Sequence, residues 1–95
     1  MTSRVRGRLA ERDLLGLAAE ICRLRGVTLD EICGRSRTPA VAAARQEIWW
    51  RLRHDPERFY SLSDIGRLFD RNHSTIANGI AAHARRLATT MPAIP

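Results

Sequence analysis

Lysine is missing altogether: all 16 basic residues of this 95-residue chain are arginine, so any basic contact it makes uses a planar, fork-shaped donor. Aromatic residues are scarce at 5%, which leaves the core to leucine, isoleucine, valine and alanine. No apolar run approaches the roughly 20 residues that cross a bilayer, so a spanning helix and a membrane partner are excluded. The opening Met1-Thr2-Ser3-Arg4-Val5-Arg6 has no apolar stretch behind it to act as a secretory signal, and a cytoplasmic location is expected. There are two cysteines, Cys22 and Cys33, too far apart for a CxxC pair. A zinc site would need Cys22, Cys33, His54 and His73 to converge from scattered positions, unlike the short paired spacing of structural sites. A disulfide does not suit a reducing cytosol. No G-x-x-x-x-G-K-[ST] loop is present to cradle nucleotide phosphates. His54, His73 and His83 have no serine, cysteine or carboxylate at a spacing that suggests a triad. No cofactor, no metal and no enzymatic activity are expected.

What is present is charge, unevenly placed. The net charge is +6, which favours a polyanionic partner. No acidic residue follows Asp70, whereas Arg71, Arg85 and Arg86 do. Between Arg35 and His54 the one acid is Glu47, set among Arg35, Arg37, Arg45, Arg51 and Arg53. Glu11, Asp13, Glu20, Asp30 and Glu31 gather near the start. The hydrophobic fraction of 44% and the chain length suit one folded domain with one core.

The chain reads as an all-α domain of about five helices. Residues 1–8 are expected to form a flexible arm, residues 9–87 the domain and residues 88–95 a disordered tail. From Leu9 to Arg25, Leu14, Leu17, Ala18, Ile21, Cys22 and Leu24 form a helical stripe that stops at Gly26. Thr28 and Glu31 make a capping box for a short second helix ending at Gly34. After the basic loop Arg35-Ser36-Arg37, Thr38 caps a third helix with Pro39 in its first position. Val41, Ala44, Ile48, Trp49 and Leu52 line its buried side, and Asp55-Pro56 closes it. Trp50 lies off that stripe and is expected to cover an edge of the core. Ser61 and Asp64 form a second capping-box-like start for a helix carrying Ile65, Leu68 and Phe69. A tight turn at Asp70-Arg71-Asn72 leads into a last helix with Ile76, Ile80, Ala81, Ala84 and Leu87 at three- and four-residue steps.

Two helices, Leu62–Phe69 and His73–Leu87, joined by about three residues have helix-turn-helix proportions. In that arrangement the first turn of the second helix enters the major groove of duplex DNA. Arg71, Asn72, His73, Ser74 and Thr75 stand there, and all can hydrogen-bond to base edges or phosphates. Asn-His-Ser-Thr is also a good helix start in its own right.

Two blocks of residues carry a resemblance. The first is Arg35-Ser36-Arg37-Thr38, Val41-Ala42 and Ala44-Arg45-Gln46; the second is Ser61-Leu62-Ser63-Asp64-Ile65-Gly66, Phe69 and Arg71-Asn72-His73-Ser74-Thr75-Ile76. Over about Val27 to Leu87 the chain resembles the C-terminal DNA-binding domain of the bacterial chromosomal replication initiator DnaA, of the Trp-repressor-like helical group. The resemblance implies that Arg37 enters the minor groove beside the recognition helix, with Arg35 its basic neighbour. It implies that Arg45 and Gln46 lie at the DNA backbone and groove edge, and that Asn72, His73, Ser74 and Thr75 read bases or grip phosphates. Arg71, Ser61, Ser63 and Asn78 complete the candidate contact set. Asn72 stands where the family usually has Asp, Ser74 replaces Thr, and Asp70 stands where two glycines are common. Pro39 and Ala43 take positions that are often basic. Without the ATP loop, the chain reads as a free-standing form of the DNA-binding part, nucleoid-associated and monomeric or weakly dimeric.

Sequence-specific double-stranded DNA binding in replication control or transcription is therefore expected. The competing reading is a protein-interaction module whose partner docks on the acidic N-terminal helices. An RNA partner fits a major-groove reading helix less well.

Overall fold

The computed structural model describes residues 4–90, and the described residues form six helices without strands. They are α1 (Arg4–Glu11), α2 (Leu15–Arg25), α3 (Leu29–Cys33), α4 (Pro39–Arg53), α5 (Leu62–Phe69) and α6 (His73–Thr90). Helix α4 is central: α2, α3, α5 and α6 all pack on it, α6 most extensively. Its inward residues Val41, Ala44, Ile48, Trp49 and Leu52 are all buried, as the periodicity predicts. Trp49 meets Phe69 of α5 edge to face, with ring centroids 5.8 Å apart.

The expected flexible arm is a correction from Arg4 onward, residues 1–3 lying outside the described residues. Residues Arg4 to Arg8 belong to α1, which buries Val5 and Leu9 against the core. Helix α1 packs on α3 and α5, held by an ion pair from Arg6 to Asp30 at 2.8 Å and by Arg8 donating to the Arg67 carbonyl. The single helix expected from Leu9 to Arg25 is likewise two. Leu9 and Leu14 are both buried, yet five residues apart they would lie about 140° apart on one continuous helix. A turn with Asp13 at φ 58° redirects the chain, and the Leu14 N–H donates back to the Leu9 carbonyl at 2.8 Å. A short polar side chain tolerates this left-handed backbone better than most. The expected tail is also shorter, because residues 88–90 extend α6; residues 91–95 lie outside the described residues.

Helix ends follow local chemistry. Gly26, at φ 69°, closes α2 while the Val27 N–H donates to the Cys22 carbonyl. Both capping boxes form: the Thr28 hydroxyl accepts from the Glu31 N–H, and the Ser61 hydroxyl accepts from the Asp64 N–H, each at 3.1 Å. Thr38 caps α4 without a side-chain bond, and Pro39 opens it. Trp50 lies against His54 and His83 in tilted ring contacts, at 4.7 and 5.3 Å between centroids.

Two details of the helical stripes differ from expectation. Leu24 is 62% exposed, because α2 turns that side away from α4. On α6, Ala81 and Ala84 face outward, and the buried line runs through Ile76, Gly79 and His83.

Candidate nucleic-acid interface

The turn between α5 and α6 is set by backbone geometry. Asp70 takes the left-handed conformation at φ 56°, and the Arg71 N–H donates to the Gly66 carbonyl at 2.9 Å. Asn72 then caps α6: its side-chain oxygen accepts from the Ser74 N–H at 2.8 Å, and its carbonyl accepts from the Ile76 N–H. His73, Ser74, Thr75 and Asn78 are exposed on the first turns of α6, and Asn72 is exposed at its start.

Opposite this turn lies the loop between α3 and α4. Its shape is held from inside by Arg45, which is only 5% exposed. The guanidinium donates to four backbone carbonyls: Glu31 and Ile32 at 2.9 Å, Gly34 at 2.8 Å and Ser36 at 2.6 Å. Arg45 is therefore a structural residue of the loop, whatever contact it makes beyond it. Every one of its donor nitrogens already holds the loop, although Arg45 also lines the cleft between this loop and α6.

Arg71 joins the two halves of the site. It is half-buried and donates to the Phe69 carbonyl at 2.9 Å and across to the Gly34 carbonyl at 3.3 Å. Its sequence-level role as a contact residue is thus shared with a structural one. Burial, then the neighbouring Arg35 charge, pulls the Arg71 guanidinium below its usual value. Burial and then Arg71 do the same to Arg45. Arginines are crowded here with few acids.

The outcome is an open cleft of about 740 Å³ between the basic loop and α6. Arg35, Ser36 and Arg37 line one side, Thr75, Asn78 and Gly79 the other, and Gln46 and Arg71 contribute to its walls. Arg35 and Arg37 are exposed, while Gln46 is half-buried and accepts a hydrogen bond from Arg86. A second concavity, lined by Ser63, Arg67, Asp70, Arg71, Asn72 and His73, shares Asp70 and Arg71 with the first. The site residues proposed from sequence, Arg45 included, thus fall mainly on one continuous band. Ser74 is exposed beside it, and Ser61 lines neither concavity because it sits at the start of α5 as its cap. The sequence reading missed Arg67 and Arg4, which line the second and first concavities. The signal for Arg4 was the four-residue step from Val5 to Leu9, which marks a helix rather than an arm.

The model of the bacterial DnaA protein helix-turn-helix family matches residues 17–82. The chain belongs to this family. Helices α3, α4 and α5, the basic loop and the first turns of α6 all lie inside the DnaA helix-turn-helix match, whereas α1 precedes it. No curated protein and no solved structure matches the chain. Among the described residues no helix is long and apolar enough to cross a membrane. No group of three or more metal-ligating side chains occurs among them either.

Proposed function

We propose that this DnaA-type helix-turn-helix domain binds double-stranded DNA sequence-specifically, in replication control or transcription. The first turn of α6 enters the major groove, and Arg37 of the basic loop enters the adjacent minor groove. The observation that carries this reading is the single cleft lined by both the loop arginines and α6. A loop arginine reads minor-groove width and potential, and the helix reads base edges, so two weak readouts combine at fixed spacing. His73 and Thr75 present donors, acceptors and, in Thr75, a methyl group for thymine. The Ser63 hydroxyl and Arg67 serve the phosphate backbone beside the recognition helix. Helix α4 and the buried Arg45 hold the two readers in register, which favours a preformed interface.

The reading of the N-terminal acidic side as a protein-docking surface has less support. Asp30 is paired with Arg6, and the Glu31 carboxylate accepts from the Thr28 N–H at 2.9 Å. Two of the five acids there thus already have partners within the fold.

Selection from random duplex DNA tests the proposal. An enriched short motif is the expected result. Binding that is salt-sensitive but without any motif would reduce the function to charge-driven contact and overturn the sequence-reading part.

A further inference from the structure

Helix α1 lies before the family match, yet it reaches the candidate interface. Arg4 and Val5 line the same cleft as Arg35, Arg37 and Arg71. Asp70 is the one acidic residue among all those lining that cleft. Arg4 is exposed, and none of the ion pairs among the described residues involves it. Its neighbours on α1 are tied down on both sides: Arg6 to Asp30 of α3, and Arg8 to the Arg67 carbonyl of α5. Val5 and Leu9 anchor the helix below. Arg4 is therefore a cation carried by an anchored helix in a cleft already crowded with like charge. Such crowding is self-repulsive in the free protein and favourable only when a polyanion occupies the cleft.

We propose that Arg4 contacts a DNA phosphate flanking the site read by α6 and the basic loop, so that α1 lengthens the footprint by one backbone contact. This rests on the duplex-binding reading above. A phosphate, rather than a base, is the partner because Arg4 stands on a different element from either groove reader. Such contacts position the protein without selecting sequence. Arg4 thus adds affinity uniformly across sequences.

The test is the salt dependence of duplex binding by the full chain, compared among wild type, Arg4→Gln and Arg4→Lys. Arg23→Ala serves as the control, since Arg23 is an exposed arginine of α2 that lines neither concavity. One phosphate contact contributes about 0.9 to the slope of log K against log salt. Arg4→Gln should lower the slope by that amount, so that its deficit against wild type shrinks about threefold between 50 and 200 mM salt. Arg4→Lys should keep the wild-type slope, Arg23→Ala should leave it unchanged, and the selected motif should be the same in all four. A wild-type slope in Arg4→Gln, or an equal fall in Arg23→Ala, would overturn the inference while leaving the duplex-binding reading intact. Absence of duplex binding by the wild-type chain would overturn both.

Discussion

Asn72, Arg45 and His83 each answer to a different physical constraint. The side-chain oxygen of Asn72 is committed to the Ser74 N–H, so the group it offers outward is its amide donor. An aspartate would cap α6 equally well and turn the free oxygen outward as an acceptor. Asn72→Asp should therefore change base preference at one position by about 1–3 kcal/mol, away from acceptor edges such as guanine O6 and toward donors such as cytosine N4. Repeating the duplex selection with this variant checks it, and an unchanged motif would remove Asn72 from the base-reading set. Arg45 holds four carbonyls of the basic loop from a buried position, so Arg45→Ala leaves buried acceptors unpaired. A loss of about 3 kcal/mol or more is expected in a denaturant titration, and Arg45→Lys should not restore it, because an ammonium cannot span the fork. His83 is 4% exposed with an unpartnered Nδ1. Desolvation holds its pKa below the usual value, aided by Arg25, Arg86 and Arg51 and opposed by Glu47. The folded state thus favours neutral imidazole. Stability is fully present above the unfolded value of 6.5 and is lost as pH falls through it toward the lower folded value. Thermal melting should fall more between roughly pH 7.5 and pH 5.5 for wild type than for His83→Gln.

At the scale of elements, the α5–α6 turn is the joint on which the site depends. Gly66 sits within α5 where a Cβ would meet the Arg71 carbonyl oxygen at 2.6 Å, a backbone atom that cannot swing aside. Gly66→Ala gains about 1 kcal/mol of helix propensity but forces the turn open. Overpacking of this kind costs about 1–3 kcal/mol, so a net loss of stability is expected. The same shift moves Arg71 away from Gly34 and loosens the loop from α6. Specific duplex affinity should therefore fall beyond what the stability loss explains, as binding measured well below the melting temperature will show. Much of the element order was legible, because caps and stops are local chemistry: the Thr28–Glu31 and Ser61–Asp64 boxes, Gly26 and Pro39 each mark a boundary. The division of α1 from α2 was not. Residues Leu9 to Leu17 satisfy helical spacing, and only the shared burial of Leu9 and Leu14, a tertiary demand, breaks the helix at Asp13. The lower part of α6 was misread for a related reason. Ala81 and Ala84 are apolar enough to fit a stripe, but Gly79 lies against Trp49 and His83 against Trp50, and those contacts set which side faces in.

For the whole molecule, the charge distribution along the sequence pointed to a polyanion, and folding concentrates it. Arg35 and Arg37 of the basic loop and Arg71 of the α5–α6 turn come from separate segments yet line one cleft. Which arginines stay outside could not be read from residue type. Arg37 stands just before α4 and Arg45 within it, but Arg45 is drawn in by loop carbonyls while Arg37 remains exposed. The family blocks located the candidate interface and not the division of labour within it. The most direct test of the two-groove arrangement is methylation interference on the selected duplex. Dimethyl sulfate marks guanine N7 in the major groove and adenine N3 in the minor groove, so one experiment reports both sides. Interference at major-groove guanines, with minor-groove adenines immediately beside them and the latter lost in Arg37→Ala, is the predicted pattern. Interference confined to one groove, or minor-groove signals that persist in Arg37→Ala, would contradict it.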